Sequence, residues 1–349
     1  MSSPCVLVSG ATGFLGRHVL EAAIARRWRS VALVRDRRSW GEHPWQTQLK
    51  GVAVLRGSPL EPNAWCDAAR QLGVTSIVHA AGRVEHSRHD PEPMLELNVH
   101  GTLQMVRAAQ AIGARISFVS SSGTVGCFRT PDTHADEHAP HAEALAGRWP
   151  YYASKMRAER EARALADQLG VELCVVRPPV LLGPGDHRRR STGYVQKVLD
   201  GKIPAVPPGG MHFTDVRDVA TALLQLCTQP ALRPVYHLPG TSSTLAQFIA
   251  RVAELAGTAP VRRPLPRWAA LGLSKLSASL ERRPSWLPDP VVLEMSTCHW
   301  GLSSLYASEI SYEPRPAAET LRDTIDWLRS HEPSTKVAPR LGAEAVAAE

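Results

Sequence analysis

The chain has 349 residues, 44% of them hydrophobic and 21% charged, and a net charge of +7. That length holds one large domain or two intimate ones, and no apolar run reaches the roughly 18 residues of a membrane-spanning helix. The charge alone would admit a nucleic-acid partner, but it comes from 34 arginines against 6 lysines, spread along the chain with no nucleic-acid motif beside them, so none is expected. Arg188-Arg189-Arg190 reads as a solvated loop or an anion contact.

The start, Met1-Ser-Ser-Pro-Cys5, runs straight into a strand pattern and leaves no room for a signal peptide. Cytoplasmic residence without stable membrane insertion is the expectation. Strands are predicted at Cys5–Ser9, Ser30–Val34, Val52–Arg56, Ser76–His79, Arg115–Ser120 and Glu172–Arg177. Helical spacing falls between them, at Leu15–Arg27, Ala64–Leu72, Pro93–Gly113 and Tyr151–Leu169. This alternation predicts an α/β fold, a doubly wound parallel Rossmann sheet with helices on both faces.

After Pro179 the pattern breaks into Gly- and Pro-rich loops around Gly183-Pro-Gly185 and Pro207-Pro-Gly-Gly210. Helices are predicted at Val216–Cys227, at Leu245–Ala256 with Thr244 as N-cap, and at Thr320–Leu328, and a short strand at Val235–Leu238. The expected division is a dinucleotide-binding domain of residues 1–179 and 213–240. A smaller substrate-binding domain would take 180–212 and 241–332, with a mobile tail at 333–349.

The six cysteines, at 5, 66, 127, 174, 227 and 298, form no CxxC or CxH pair. Neither a metal site nor a disulfide framework is expected.

Two segments carry the chemistry. Val6-Leu7-Val8 leads into Gly10-Ala-Thr-Gly13-Phe-Leu-Gly16, a strand, a glycine turn and a helix start. Such a turn brings backbone amides to a dinucleotide pyrophosphate. The second predicted strand ends in Val34-Arg35-Asp36-Arg37-Arg38. Arginines there favour the 2′-phosphate of NADP, while Asp36 keeps NAD open. In Tyr151-Tyr-Ala-Ser-Lys155, a phenol and an ammonium stand one helical turn apart on one face. The ammonium is expected to lower the phenol's pKa and let it exchange protons. Tyr152 has Met156, not lysine, four residues on, so Tyr151 is the acid/base candidate and Tyr152 a packing residue.

These segments, with His79-Ala-Ala-Gly82, Asn98-Val-His-Gly-Thr102, Ser120-Ser-Ser122, Arg177-Pro-Pro179 and Thr214-Asp-Val-Arg-Asp218, resemble the extended short-chain dehydrogenases/reductases. That group holds NDP-sugar epimerases, 3β-hydroxysteroid dehydrogenases and dihydroflavonol 4-reductases. The resemblance spans about residues 4 to 330 and is nearest the reductase side. It implies that Gly10, Thr12, Gly13, Phe14, Leu15 and Gly16 cradle the cofactor. Arg35, Arg37, Ser58 and Leu60 would lie near the adenosine, with Ser58 standing where relatives often carry an acid. Ala80, Ala81, Gly82, Asn98, Ser120, Pro178 and Val180 would line the nicotinamide side. Tyr151 and Lys155 would be catalytic with a serine, either Ser121 or Ser122. Val84, Glu85, Ser121 and Tyr152 would face the substrate.

His86 reads as a rim residue or a second acid/base. The stretch Arg262–Pro288, with Trp268, Leu271, Leu273, Leu276, Leu280, Trp286 and Leu287, reads as an apolar lid, a helix packed on the body, or a membrane-surface contact. The expected activity is reversible hydride transfer between NADPH and a ketone or aldehyde of a largely apolar small molecule. An NDP-sugar epimerase or dehydratase holding NAD tightly is the alternative. There the sugar diphosphate would need cations such as Arg188–Arg190, Lys197 and Arg263. A non-catalytic dinucleotide sensor is a third reading. By analogy with the family, a homodimer is the expected assembly.

Overall fold

A computed structural model describes residues 4–41, 49–261, 263–280, 282, 284 and 287–331. The tail from 333, Arg262 and Trp286 lie outside the described residues, and nothing is described of the Arg38 side chain.

The first half alternates as its periodicity predicts. β1 (Cys5–Ser9) is a fully buried apolar run, the mark of a central parallel strand. It is followed by α1 (Phe14–Ala25), β2 (Arg29–Val34), α2 (Arg37–Gly41), β3 (Ala53–Arg56), α3 (Cys66–Gln71) and β4 (Ser76–His79). Next come α4 (Glu92–Leu95), a single π-helical turn (Glu96–His100) and α5 (Gly101–Ile112), which together occupy the predicted helix at 93–113. β5 (Arg115–Val119) and β6 (Cys127–Phe128) precede α6 (Pro150–Leu169), which starts with Pro150 in its first turn and ends at a left-handed Gly170.

The second half holds more regular structure than its composition suggests. β7 (Leu173–Arg177) is followed by β8 (Val180–Leu182), α7 (Gly193–Leu199), β9 (Gly210–Asp215) and α8 (Val216–Thr228). Then come β10 (Val235–His237), β11 (Thr241–Thr244), α9 (Leu245–Ala256), α10 (Arg267–Ser279), α11 (Pro290–Met295), β12 (His299–Trp300) and α12 (Ala317–Ser330). The predicted cap of α9 is present as a capping box, in which Thr244 and Gln247 bond each other's backbone amides. β8, α7, β9 and β11 were not predicted: they are short, and glycine and proline punctuate them.

Seven parallel strands form the main sheet in the order β10-β7-β5-β4-β1-β2-β3. The winding direction reverses between β1 and β4, and the crevice at their carboxyl ends is where such sheets bind ligands. The core of one face joins α1 to α8 through Val19, Leu20, Ala23, Val216, Val219 and Leu223. A separate three-stranded sheet, β11-β9-β8, carries its own core with α7, α9 and α12. It runs across residues 212 and 213, the predicted boundary. Among the described residues no helix is long and apolar enough to cross a membrane.

Candidate active site

The glycine turn occupies the β1/β4 crevice. Gly10 has φ +73°, and a Cβ there would stand 2.7 Å from the Ala80 carbonyl carbon and the Ala81 amide nitrogen. Only glycine combines that backbone with that approach. Gly13 donates its amide to the Gly10 carbonyl at 2.8 Å and begins α1 without a side-chain cap. The first turn of α1 contains no acidic residue, so its amides are available to an anion. Thr12 and Phe14 are half-buried beside the turn, and Leu15 and Gly16 are buried.

At the end of β2, Arg35 is exposed, whereas Arg37 donates to the Val54 carbonyl at 2.9 Å. One of the two arginines expected at the adenosine is therefore engaged on β3. Ser58 accepts the Leu60 amide at 3.2 Å, and its carbonyl takes the Trp65 indole N–H at 2.9 Å.

The β4 end is fixed by an unbroken chain of hydrogen bonds. Ser9 Oγ lies 2.7 Å from His79 Nδ1, and His79 Nε2 lies 3.1 Å from Thr102 Oγ1. Thr102 donates to the Asn98 carbonyl at 2.6 Å. Its proton being committed there, the bond from His79 requires the Nε2–H tautomer, with Ser9 donating to Nδ1. Burial holds His79 neutral, with its pKa lowered to about 3. Asn98 sits in the π-helical turn and is 1% exposed. Its side chain accepts the Arg83 amide at 2.8 Å and donates to the Arg83 carbonyl at 2.9 Å and to Ser154 Oγ at 3.0 Å. Ser154 donates to the Tyr151 carbonyl at 2.6 Å. Asn98 thus ties the backbone after β4 to the start of α6.

Tyr151 and Lys155 lie on one face of α6, as the spacing requires. The Ser121 side chain stands near the Tyr151 hydroxyl and favours its ionised form. Ser122 instead gives its amide to the Pro178 carbonyl at 2.8 Å, where the chain leaves β7, and the exposed Val180 follows. Lys155 donates to the Val119 carbonyl at 2.9 Å and lies 4.8 Å from the centre of the Phe118 ring. A Cβ on Gly82 would stand 3.5 Å from Lys155 Nζ, so the absence of a side chain opens the space beside the ammonium.

The electrostatics correct one expectation. Burial raises the Tyr151 phenol to about 12, against the smaller opposite effect of Ser121, so Lys155 does not bring it toward neutrality. Burial also lowers Lys155 to about 8, with the Glu159 carboxylate pulling the other way. Tyr151 therefore holds its proton, the form that can give one away.

Glu159, one turn beyond Lys155, is the residue that sequence reasoning missed. It is 1% exposed and pairs with Arg177 at 2.5 Å and His141 Nε2 at 2.9 Å. It also accepts the hydroxyls of Ser120 and Thr124, the latter at 3.1 Å. Ser120, expected to face the cofactor, therefore turns its hydroxyl onto Glu159. Arg177 reaches His237 at 3.2 Å. The pair brackets both ends of the loop that carries Ser121 and Ser122. The only local hint was Glu159's position four residues after Lys155.

The facing wall is aromatic. The Tyr152 ring lies 5.1 Å from that of Tyr151 and 5.4 Å from Trp300, and Trp149 lies 6.0 Å from both Tyr152 and Trp300. The Tyr152 ring also rests against Gly123, where no Cβ could fit. His86 stands edge-on to Tyr151 at 5.8 Å, and its Nδ1 is buried without a partner among the described residues. Val84 is exposed, and Glu85 bonds the Ser87 amide at 3.4 Å. Cys127 and Cys298, 171 positions apart, meet in the buried cluster behind the aromatic wall, and their proximity pushes the Cys127 thiol up. A separate cavity of about 530 Å³, lined by Arg17, His187, Arg217, Trp327 and His331, shares no residue with this site.

A dinucleotide-binding crevice, a Tyr-x-x-x-Lys face and a serine on the tyrosine define an extended short-chain dehydrogenase/reductase. The model of the NAD dependent epimerase/dehydratase family matches residues 6–238, and the chain belongs to that family. Sterol demethylase protein B of Methylococcus capsulatus is 27% identical over 93% of this chain and 98% of its own length. Ceramide reductase of Caulobacter vibrioides is 28% identical over 93% of this chain and 94% of its own. The crystal structure of gox2253 superposes with a TM-score of 0.79 at 28% identity, covering 95% of this chain and 99% of that one. The protein is an NAD(P)-dependent oxidoreductase.

Proposed function

We propose that the protein reduces a ketone or aldehyde on a bulky, largely apolar molecule, with NADPH as the preferred cofactor. The observation that carries this reading is the aromatic pair of Tyr152 and Trp300 beside Tyr151, backed by the fully buried Trp149. Such a surface stabilises an apolar substrate by roughly 25 cal/mol per Å² buried. Of the cations that a sugar diphosphate would need, Arg190 reaches the Val84 carbonyl at the rim at 3.4 Å, and the others named are engaged elsewhere or exposed. Arg189 bonds Gln196 and the His331 carbonyl, and Lys197 is exposed. The sterol and ceramide in the two relatives' names point to the same substrate class.

The crevice fits a dinucleotide: the uncapped α1 N-terminus meets a diphosphate, and the space at Gly82 lets a ribose reach Lys155. When bound, the nicotinamide supplies the hydride. The protein's own residues manage the oxygen. Ser121 donates a hydrogen bond to the carbonyl oxygen and stabilises the charge that develops there. Tyr151, protonated at neutral pH, gives its proton to that oxygen. Lys155, as an ammonium, favours the phenolate left behind. Glu159 holds the serine loop and favours the charged form of Lys155. His86 Nδ1, a buried nitrogen without a partner among the described residues, is a natural contact for a second polar group of the substrate.

A panel of apolar ketones and aldehydes and of sugar nucleotides tests this reading, with nicotinamide absorbance and product chromatography as readouts. Net NADPH oxidation with the first class is expected. Sugar-nucleotide conversion without net cofactor consumption would replace the reading with that of an epimerase.

A further inference from the structure

Helix α10 is amphipathic in the reverse sense. Its buried residues are Ala270, Ser274 and Ser277. Both serines bond the chain leading into α11, Ser274 to the Pro290 carbonyl at 3.0 Å and Ser277 to the Pro288 carbonyl at 2.9 Å. The opposite stripe, at intervals of four, is Trp268, Gly272, Leu276 and, just past the helix, Leu280. Trp268 is 79% exposed and Leu276 52%, and on α11 Val292 is 41% exposed. A helix docked for its own stability buries its leucines and tryptophan and exposes its serines. Here hydrogen bonds anchor the helix, and its apolar stripe faces outward.

The charge around this stripe is of one sign. Among the described residues of 261–288, Arg263, Arg267, Lys275 and Arg282 are cations and none is an acid. The acids just beyond are turned inward. Asp289 caps α11 at the Val291 amide, and Glu294 binds Arg88 and the Trp149 indole. A two-fold contact with a second copy would set this cluster of cations against itself. An anionic lipid surface instead takes tryptophan and leucine at the headgroup boundary and arginine and lysine at phosphate level.

We propose that α10 is a peripheral docking surface for an anionic lipid bilayer, lying on the membrane without spanning it. The inner side of the same unit reaches the active site, because Val291 and Met295 of α11 pack with Trp149, Tyr151 and Tyr152. The docked face is thus the outside of the substrate wall. This inference rests on α10 itself and not on the proposed reaction.

Co-sedimentation of the full chain with vesicles, without substrate or cofactor, tests it. Phosphatidylcholine mixed with phosphatidylglycerol should bind the protein, and phosphatidylcholine alone much less. Added salt should weaken the binding. The double variant Trp268→Ala/Leu276→Ala should bind about 10-fold more weakly, with an unchanged Tm because both side chains are exposed, and Trp268→Phe should retain most of the affinity. Absence of binding to the anionic vesicles, or binding indifferent to the double variant, overturns the proposal. So does a dimer in sedimentation velocity that the double variant abolishes, since the occupant would then be a second copy.

Discussion

The two walls that meet at Tyr151 are made of different material. At the ends of β1 and β4 the wall is backbone: Gly10 lies against Ala80 and Ala81, and Gly82 leaves open the space beside Lys155. The facing wall is side chain, with Trp149, Tyr152, His86 and Trp300 arriving from separate parts of the chain. Backbone geometry of the first kind is set by two short motifs, Gly10–Gly16 and Ala80–Gly82, that the β1/β4 pairing brings together. Side-chain geometry of the second kind carries no such motif and exists only once the segments have packed. The wall for a shared cofactor is therefore readable from short motifs, and the wall for an individual substrate is not.

The sharpest way to break this comparison is at the two tyrosines, which share a helix but face different partners. Tyr151→Phe should lower kcat by about 10²–10⁴-fold, the usual weight of a positioned general acid, and leave cofactor affinity nearly unchanged. Tyr152→Phe, which keeps the aromatic contact with Trp300, should act chiefly on KM. If steady-state kinetics gave the reverse pattern, the roles would have to be exchanged.

Next in size is Glu159→Gln. Breaking one partner of a buried ion pair should cost about 3–5 kcal/mol of unfolding free energy, measured by urea titration at neutral pH. Burial opposes ionisation of Glu159, but His141, Arg177 and Ser120 together lower its pKa from the ordinary 4.5 to about 2. A depressed carboxylate stabilises the fold above about 4.5, and that stability is lost as pH falls from 4.5 through 2. The wild type should show this acid dependence and the variant should lack it. Lys155, lowered to about 8, loses its charge as pH rises through that value. Activity that needs the ammonium should decline above about pH 8, and in Glu159→Gln the decline should begin at lower pH. An unmoved alkaline limb would mean that Glu159 acts on folding alone.

The smallest effect is expected on the cofactor side. Arg35→Ala should narrow the preference for NADPH over NADH by roughly 1–3 kcal/mol. Arg37→Ala should change it less, since that guanidinium is held by the Val54 carbonyl. Titration of both cofactors decides, and equal affinities in the wild type would remove the 2′-phosphate reading.

How much could be read from the sequence follows the same division. The sheet, the glycine turn and the Tyr151–Lys155 face were legible because period, turn chemistry and helical spacing are local. The Glu159 network was not, since Ser120, Thr124, His141, Arg177 and His237 carry no common spacing. The run of three serines was ambiguous by counting; in the fold Ser121 stands near Tyr151, while Ser122 gives its amide to the Pro178 carbonyl. Asn98 was expected on the nicotinamide side, and the π-helical turn that buries it had no signal in the helical spacing around it. The Cys127–Cys298 contact was hidden by its separation. The strands after Pro179 were hidden by glycine and proline, which mark the ends of short strands as readily as loops.

The return of the chain to its first helix bears on how the protein is made. Val19, Leu20 and Ala23 of α1, which also packs on β1 and β2, are covered on their other side by Val216, Val219 and Leu223 of α8. At roughly 5–20 residues per second, a ribosome that has finished α1 needs about 10–40 s to deliver that cover. Throughout that interval the apolar face of α1 is open to chaperones and to other nascent chains. A fragment ending after β7 would keep this face open permanently and would also leave β7 as a bare edge, because β10 would be missing. The chain cannot be cut into a self-sufficient first half, and its catalytic face takes final shape only when the second half has been synthesised.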